Sequence, residues 1–586
     1  MNAHDDLLEY YRRELAYLRV QGGDFAARYP KVAQRLDLTG SESPDPHTER
    51  LIEAVAFLAA RVHRELDRDF PTVATSLLDN LCPSLTQPVA SMTVVQMTLD
   101  PTQGKVTAGL QVPRGTALST TADTGQTCRM RTAWDLTLWP LRITQARMED
   151  PRTLRLDFAC EPGVQAHELE IDVLRLHLAG DLLVTMPLHE LLVTSLESVQ
   201  IVAADGRCVP LAAGCLSEVG FDEGQEVLAQ PAHAHPAYGL LQEYFAFPRK
   251  FQFFDLRGLQ GRLGSGSGFS LRWVFSRSAR VLSLLSAENF GLCCVPVVNL
   301  FERTSEPVVM DRRRHEYLLM PDLQHDAVTE VHSVQAVMAS DPRSDRPLQI
   351  PSVFAEPLDE DAGPADLFWT MRRERSLRRD LPGTDVFLGF VDRGNVRASP
   401  AEPVVYARLL CTNRRLAEQL MPGARFFGQG VSTSTRIRAL YTPSAPRDPV
   451  LGSQALWSLV SLLRLNHRSL VDGTNGVQTL RQMLMLFAGD SARDQAQVRG
   501  IHGVYAAMAT ARVGTQAWSG HCVGTDITLD IEPEAFVGNS PLVLASVLSR
   551  FFALYSSANS FVRLSLRQGG ETVKRWPAMS GRQCLI

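Results

Sequence analysis

Between residues 4 and 82 the apolar positions recur every three or four residues, which is the spacing of an α-helix. In the first stretch Leu7, Tyr11, Leu15 and Leu18 fall on one face. The motif QGGDF that follows predicts an interruption, because two adjacent glycines weaken a helix. The pattern therefore predicts several helices at the start of the chain.

The longest of these helices is predicted to begin at Pro46. Asp45 is suited to cap it, and a proline at the first helical position loses nothing through its missing N–H. Pro71 predicts the end of the helix, and a further short helix is expected up to residue 82. An apolar stripe runs along the helix at steps of four, three, four and four residues: Leu51, Val55, Leu58, Val62 and Leu66.

Two roles for this stripe are compatible with the pattern. Amphipathic helices bury their apolar face either in the core of their own domain or against a helix of a neighbouring chain. The sequence does not decide between a private core and a bundle shared with another subunit.

From about residue 90 apolar and polar residues alternate between turn signals, which is typical of strands. Examples are SMTVVQMTLD, TLRLDFAC, FQFFDLRGL and GFSLRWVFS, and MPLHELLVTSL fits an inserted helix. Residues 341–366 are rich in Pro and Asp without a period, which predicts a loop or a domain border. From about residue 445, helices are predicted in GSQALWSLVSLLRLNH, in GVQTLRQMLMLFA and after Ser540, with strands in GTDITLDIE and SFVRLSLR.

These patterns predict a multidomain α+β protein. One hydrophobic core rarely grows beyond about 250–300 residues, so a chain of 586 residues is expected to hold several. The predicted regions are an N-terminal helical region (1–88), a β-rich middle region (89–345), a linker and mixed region (346–444) and an α/β C-terminal region (445–586).

Composition narrows the classes of function. A formal net charge of −5 and a pI near 6.3 argue against a large basic footprint for nucleic acid. The start MNAHDDLLEYYRREL lacks the positive charge of a signal peptide, and no window offers the ~20 uninterrupted apolar residues of a membrane span. Ten cysteines without a C-x-x-C spacing predict neither a zinc ribbon nor a redox dithiol. We expect a cytoplasmic protein without cofactor or direct membrane insertion.

Three motifs carry candidate chemistry, and for each a structural explanation is favoured. The glycine-rich run 261–269 precedes a strand pattern, so a turn is predicted in place of a phosphate-binding loop. His233 and His235 lie in a proline-bounded segment without a third metal ligand nearby, which predicts a solvated loop. An arginine cluster is predicted to form a solvated face, and contact with an acidic protein partner is the second alternative. Its members are Arg372, Arg373, Arg375, Arg378 and Arg379.

No group of residues in the sequence indicates catalysis. Carboxylates are frequent, for example in LDEDAG and LDIEPEAF, but nothing in the sequence brings two of them to a catalytic distance. We therefore expect a protein that is not an enzyme, with a cytosolic hydrolase as the alternative from a different class.

Several blocks resemble one protein family in the same order along the chain. They include YYRRELAYLRVQGGDFAARYPKVAQRL, DPHTERLIEAVAFLAARVHRELDRDFP, SLLDNLCPSLTQPVASMTVVQ, LSAENFGLCCVPVVNLF and VLSRFFALYSSANSFVRLSL. The family is TssF (also called ImpG or VasA), a baseplate subunit of bacterial type VI secretion systems. The resemblance spans essentially the whole chain.

The resemblance implies a non-enzymatic wedge component that is similar to the wedge proteins of contractile phage tails. It implies two copies bound to one TssG, with TssK, TssE, the spike hub VgrG and the sheath proteins as further partners. Assembly is then cytoplasmic, on a secretion apparatus docked at the inner membrane. The alternative within this class is a wedge subunit of another contractile injection system or of a phage tail.

This interpretation makes the N-terminal helices the candidate partner interface. A chain that occupies two places in a wedge is also expected to route linkers such as 341–366 differently in the two copies. The candidate partner-interface residues are Leu51, Val55, Leu58, Val62, Leu66, Tyr11 and Leu15.

Overall fold

The structure is a computed structural model, and it describes most of the chain. The described residues are 3–33, 45–100, 106–231, 234–278, 285–311, 313–340, 347–353, 367–376, 378, 383–392, 394, 398, 400, 403–432, 435–451, 457–458, 473–512, 521–557 and 560–581.

The α-helices of the described residues lie at the two ends of the chain and in two places between them. They are α1 (Ala3–Arg28), α2 (Pro30–Ala33), α3 (Pro46–Leu81), α4 (Pro83–Thr86), α5 (Leu182–Thr194), α6 (Pro236–Ala246), α7 (Gly473–Ala488), α8 (Ala492–Arg499) and α9 (Pro541–Tyr555).

Strands make up most of the remaining described chain. The first half holds β1 (Met92–Thr98), β2 (Leu110–Val112), β3 (Ala117–Thr121), β4 (Thr127–Thr132), β5 (Leu136–Leu138), β6 (Leu141–Asp150), β7 (Thr153–Cys160), β8 (Val173–Leu178), β9 (Leu196–Ala203), β10 (Cys208–Pro210), β11 (Leu216–Val219), β12 (Phe253–Arg257), β13 (Gly268–Phe275), β14 (Phe290–Leu292) and β15 (Cys294–Val298). The second half holds β16 (Phe301–Thr304), β17 (Val308–Val309), β18 (Glu316–Leu318), β19 (Glu330–Ser340), β20 (Leu348–Ile350), β21 (Leu367–Arg375), β22 (Thr384–Asp392), β23 (Val404–Thr412), β24 (Arg425–Gly428), β25 (Arg436–Ala439), β26 (Ile501–Arg512), β27 (His521–Ile531), β28 (Phe561–Gln568), β29 (Glu571–Arg575) and β30 (Met579–Ser580).

The predicted helix starts are confirmed, but two predicted breaks are wrong. Asp45 caps α3 by accepting a hydrogen bond from the backbone N–H of His47 at 3.0 Å. However, α3 continues through Pro71 to Leu81, and α1 continues through the glycines of QGGDF to Arg28. An interior proline costs about 3 kcal/mol and a glycine about 1 kcal/mol. Both helices continue in spite of these local costs.

A closed six-stranded barrel forms the centre of the β-rich part. Its strands follow the order β1-β15-β4-β3-β24-β25, and β25 pairs with β1 to close the ring. All of these pairings are antiparallel. Alternate side chains such as Val95, Met130, Phe426 and Ile437 fill the interior, so the barrel is a packed core.

A second core lies between two antiparallel sheets. One sheet has the order β10-β9-β13-β7-β6 and the other β11-β12-β8-β14. Leu156, Leu271 and Trp273 of the first sheet face Leu176 and Leu256 of the second, and all five are buried. Helix α5 contributes buried leucines to this core and leads into β9.

A third core joins the sheet β16-β23-β19-β20 to the sheet β18-β22-β21. Strand β20 falls inside residues 341–366, so the predicted loop is wrong for Leu348–Ile350. Strand β20 pairs with β19 through Ile350 opposite Val337. The rest of that predicted loop lies outside the described residues, except 347 and 351–353.

The C-terminal core combines helices with the sheet β26-β27-β28-β29. Strands β27 and β28 are parallel and are joined through α9, which packs on β28 and on α6. The helix predicted in GVQTLRQMLMLFA is confirmed as α7, and the helix after Ser540 as α9. The helix predicted in GSQALWSLVSLLRLNH lies outside the described residues, except Trp457 and Ser458.

The fold is therefore the α+β arrangement that the pattern predicts, with several cores. Chain segments are shared between these cores. Strands β24 and β25, at residues 425–439, complete the barrel although the sequence analysis places them in a linker and mixed region. The four domain ranges stay predictions.

Candidate protein interface

Helices α1 and α3 pack side by side as an N-terminal pair, which we call the helical arm. Two contacts between polar side chains establish the relative direction of the two helices. Arg19 Nη2 lies 2.5 Å from Glu49 Oε1, and Glu14 Oε1 lies 2.8 Å from His63 Nδ1. Because the earlier residue of α1 meets the later residue of α3, the two helices run antiparallel.

The face of α3 that α1 covers consists mainly of small residues. Ala56 and Ala60 are fully buried, and Ala59 is half-buried. Small side chains allow two helices to approach closely, but they contribute little apolar area. Ile52 on the same face is half-buried, so the arm is held together without the four described residues of the stripe.

The predicted stripe points away from this contact. The exposed fractions are 67% for Leu51, 47% for Val55, 59% for Leu58 and 57% for Val62. At about 100° per residue, the stripe is centred roughly 120° around the helix from Ala56. In the isolated chain, the side chains of the stripe that the structure describes do not form a private core.

The remaining predicted interface residues are Tyr11, Leu15 and Leu66. Tyr11 and Leu15 on α1 are half-buried. Leu66 lies within α3, but its side chain is outside the described residues. Tyr17 and Val20 on α1 are 58% and 61% exposed, and the sequence analysis missed both. They lie off the face formed by Leu7, Tyr11 and Leu15, so their spacing gave no signal.

The root of the arm is anchored firmly in the body of the protein. Leu78, Cys82 and Leu85 are buried in the C-terminal core. Burial raises the pKa of the Cys82 thiol to about 12, which keeps it neutral. The backbone here is also hydrogen-bonded to a distant segment, since Val450 N donates to Leu85 O at 2.8 Å. The arm therefore extends from a fixed base.

Arg447 connects this root to three helices. Val89 lies between α4 and β1, and its backbone N–H donates to Arg447 O at 2.9 Å. The Arg447 guanidinium donates to Phe487 O at 2.8 Å and to Phe245 O at 2.7 Å. It also lies 3.3 Å from a carboxylate oxygen of Asp494. Arg447 thus links the base of the arm, through its backbone, to α6, α7 and α8, through its side chain.

The arginine cluster is a solvated face only in part. Arg375, at the end of β21, and Arg378 are exposed as predicted. Arg373 on β21 is buried, donating to Val331 O at 2.8 Å and to His332 O at 2.6 Å. Burial lowers the pKa of Arg373, and the carboxylates of Glu330 and Asp79 act in the opposite direction. Arg372 and Arg378 form ion pairs with carboxylates. Arg379 lies outside the described residues.

The other two motifs are structural where they are described. The glycine-rich run leads into β13 and not into a helix, which confirms the predicted turn. His235 caps α6, with Pro236 at the first helical position, so the loop prediction is wrong from Pro236 onward. His233 lies outside the described residues. Within the described ranges, no three His, Cys, Asp or Glu side chains are grouped as a metal site would need.

A helix that spans a membrane needs about 20 predominantly apolar residues. In the described part of the chain, none of the helices combines the length and the apolar character that crossing a bilayer would require.

Comparison with known proteins confirms the resemblance seen in the sequence. The family model for "Type VI secretion system, TssF" matches residues 3–583. Type VI secretion system component TssF1 of Pseudomonas aeruginosa is 33% identical, and the alignment covers 98% of each chain.

Two solved structures are similar along nearly the whole chain. A chain of a TssK-TssF-TssG baseplate subcomplex, determined by cryo-electron microscopy, has a TM-score of 0.76 at 25% identity and covers 90% of this chain and 98% of its own. A chain of the baseplate complex from the type VI secretion system has a TM-score of 0.54 at 22% identity, covers 99% of this chain and 100% of its own, and supports the fold alone. This chain therefore belongs to the TssF family of type VI secretion baseplate components.

Proposed function

We propose that this chain is a structural subunit of a type VI baseplate and that its helical arm forms a helix bundle with a TssG partner. One observation carries the proposal. The four stripe residues of α3 whose side chains the structure describes are exposed in the isolated chain, while alanines on the opposite side of the helix are buried. A helix that turns its apolar stripe to solvent is suited to a partner helix.

The energetics support a bundle. Complete burial of a Leu or Val side chain contributes about 1.5–3 kcal/mol, and these side chains are already about half covered. Each stripe residue then adds about 1 kcal/mol on association. Four such residues help to offset the translational and rotational entropy that binding costs. The firmly anchored root reduces the further cost of ordering the arm.

The assembly that we propose has two copies of this chain with one TssG. A related structure that contains TssK, TssF and TssG in one subcomplex supports TssG and TssK as partners. We propose TssE, the spike hub VgrG and the sheath proteins as neighbours, and cytoplasmic assembly on an apparatus docked at the inner membrane. The role is mechanical and not enzymatic.

Two copies in one wedge meet different neighbours. We propose that the parts of 341–366 outside β20 follow different paths in the two copies, which would adapt one sequence to two positions. Superposition of the two copies from an assembled particle tests this proposal, and identical interdomain angles in both copies would contradict it.

Leu58→Asp is expected to abolish co-purification with TssG and leave the chain folded. Leu58 is 59% exposed, so a carboxylate at this position stays solvated in the free chain, and the free energy of unfolding should change by less than about 0.5 kcal/mol. In the bundle the same carboxylate would be buried without a partner, which costs several kcal/mol. The measurements are co-purification with tagged TssG and a thermal melt of the free chain.

Two controls define the result. Phe57 is also exposed, at 44%, but lies off the stripe, so Phe57→Asp should keep TssG bound. Ala56 is buried between the helices, so Ala56→Asp should loosen the arm and expose α1 to proteolysis. The bundle proposal fails if Leu58→Asp binds TssG as the unchanged chain does, or if Leu58→Asp unfolds the isolated protein.

A further inference from the structure

The outer surface of the barrel carries a basic face on two neighbouring strands. Along β24 and β25 the inward side chains Phe426 and Ile437 are buried, and the side chains on either side of them point outward. We call the outward set, consisting of Arg425, Phe427, Arg436 and Arg438, the barrel face. Phe427 is 75% exposed, and all three arginines are exposed.

The barrel face brings like charges together without compensating them. Arg425 and Arg438 are directly opposite each other across the strand pair. Like charges in this position destabilise a sheet. Among the described residues, no carboxylate lies within ion-pair distance of either guanidinium. Arg438 donates to the Gln96 side chain at 2.8 Å, and Arg436 is 3.7 Å from an Asp100 oxygen.

An apolar groove begins at the edge of this face. The groove has a volume of about 460 Å³ and lies between the barrel and strand β6, with Arg438 among its lining residues. Trp139, Leu141 and Ile143 supply apolar walls. Arg142, Glu161 and Glu288 also line it, so the groove itself carries charges of both signs.

We propose that the barrel face binds an acidic segment of another baseplate protein, with one apolar side chain of that segment held in the adjacent groove. Carboxylates from a partner would compensate the Arg425–Arg438 pair, which the described part of this chain does not. Guanidinium groups also bind carboxylates in a bidentate manner, which gives the contact a fixed geometry. The inference rests on the proposed function in one respect, which is that the partner is sought within the baseplate assembly.

The pairing of the two strands specifies the spacing of the partner's charges. Arg425 and Arg438 are directly opposite each other, with Cβ atoms about 4.5–5.5 Å apart. Residues i and i+2 of an extended partner segment lie on one face about 7 Å apart, a separation to which the long arginine side chains adjust. The recognised pattern is therefore two Asp or Glu residues separated by one residue, next to an aliphatic or aromatic residue.

A photo-crosslinking experiment identifies the occupant. Phe427 is replaced by p-benzoyl-phenylalanine in cells that express the complete secretion gene cluster, and crosslinked peptides are sequenced by mass spectrometry. The expected product is one peptide of another baseplate subunit that contains the i, i+2 carboxylate pattern. A crosslink confined to this chain, to peptides without that pattern, or to unrelated proteins would overturn the proposal.

Charge exchange then tests the chemistry. The double variant Arg425→Glu/Arg438→Glu should reduce the crosslink by at least about tenfold, and exchanging the partner's two carboxylates for arginine should restore it. The matched control is Arg207→Glu/Arg257→Glu, which changes the net charge equally at two exposed arginines away from the face. An undiminished crosslink in the first double variant, or no recovery after the exchange, would overturn the proposal.

Two further readouts separate folding and the helical arm from this surface. Arg425→Glu alone converts the like-charge pair to an opposite-charge pair, so its melting temperature should not fall. Co-purification with TssG through the stripe should be unchanged in both double variants. No crosslink from position 427 together with intact TssG binding would overturn the barrel-face proposal and leave the proposed function standing.

Discussion

Replacing Lys250 with methionine is expected to lower the free energy of unfolding by about 3–5 kcal/mol, because the change leaves a carboxylate buried without its cation. Lys250 and Glu243 are each only 1% exposed, and the Lys250 ammonium donates to Glu243 Oε2. Methionine fills nearly the same volume as lysine, so the packing around it is retained. Chemical unfolding followed by fluorescence and circular dichroism measures the effect.

The position of Glu243 explains why the expected effect is large. Its other oxygen accepts hydrogen bonds from the backbone N–H groups of Val227 and Leu228, each at 2.7 Å. Val227 and Leu228 belong to the barrel core, whereas Glu243 lies on α6 in the C-terminal core. The carboxylate therefore links two cores, and its charge must be compensated where water does not reach.

Two comparisons sharpen this test. Lys31 is exposed on α2, so Lys31→Met should change the free energy of unfolding by less than about 0.5 kcal/mol. Adding Glu243→Gln to Lys250→Met removes the buried charge but keeps an acceptor for the two N–H groups, so part of the loss should be recovered. A loss for Lys250→Met no larger than that for Lys31→Met would contradict the explanation.

Local signals in the sequence predicted much of the fold. The caps at Asp45 and Ser540 have their effect within a few residues, and both helix starts are confirmed. Alternating patterns predicted β12, β13, β27 and β28 for the same reason. Local signals could not predict whether the stripe of α3 is buried or exposed, because this depends on which face of α3 is covered by α1.

The errors arise where distant segments decide the structure. Arg373 belongs to a charged run, but contacts with β19 and β22 bury it in a way that the run does not predict. The barrel likewise needs β24 and β25, which lie more than 300 residues after β1. Pro71 shows the opposite error, since a strong local signal was overridden by packing at both ends of α3.

The candidate interface was predicted in part. The spacing of Leu51, Val55 and Leu58 identified the stripe, because four-three steps depend on the sequence alone. The barrel face has no such signature. Arg425 and Arg438 are 13 residues apart in the chain, and only the pairing of β24 with β25 places them opposite each other.

The stability of the chain is expected to fall steeply as the pH drops below about 6.5, through three buried histidines. Burial lowers the pKa of His177 to about 3, that of His189 to about 4 and that of His332 to about 3. Neighbouring cations act in the same direction: Arg249 at His177, Lys574 at His189, and Arg373 with Arg131 at His332. Glu218 partly opposes the shift at His189.

The direction follows from which state binds protons. Well above pH 6.5 all three rings are neutral in the folded and the unfolded chain, so the contribution to stability is fully present. As the pH falls from 6.5 towards about 4, the unfolded chain binds protons that the folded chain does not bind, and the free energy of unfolding falls by up to about 1.4 kcal/mol per pH unit for each histidine. Three histidines together lower it by about 3 kcal/mol between pH 6.5 and 5.5.

Urea unfolding at pH 7.5, 6.5 and 5.5 measures this loss, and variants assign it to individual side chains. His332→Gln cannot be protonated, so its free energy of unfolding should fall by about one third less between pH 6.5 and 5.5. Equal slopes for the unchanged chain and His332→Gln would show that a group other than this buried histidine governs the acid response. A reduced slope in His332→Gln would assign about a third of that response to a ring held between the barrel and the third core.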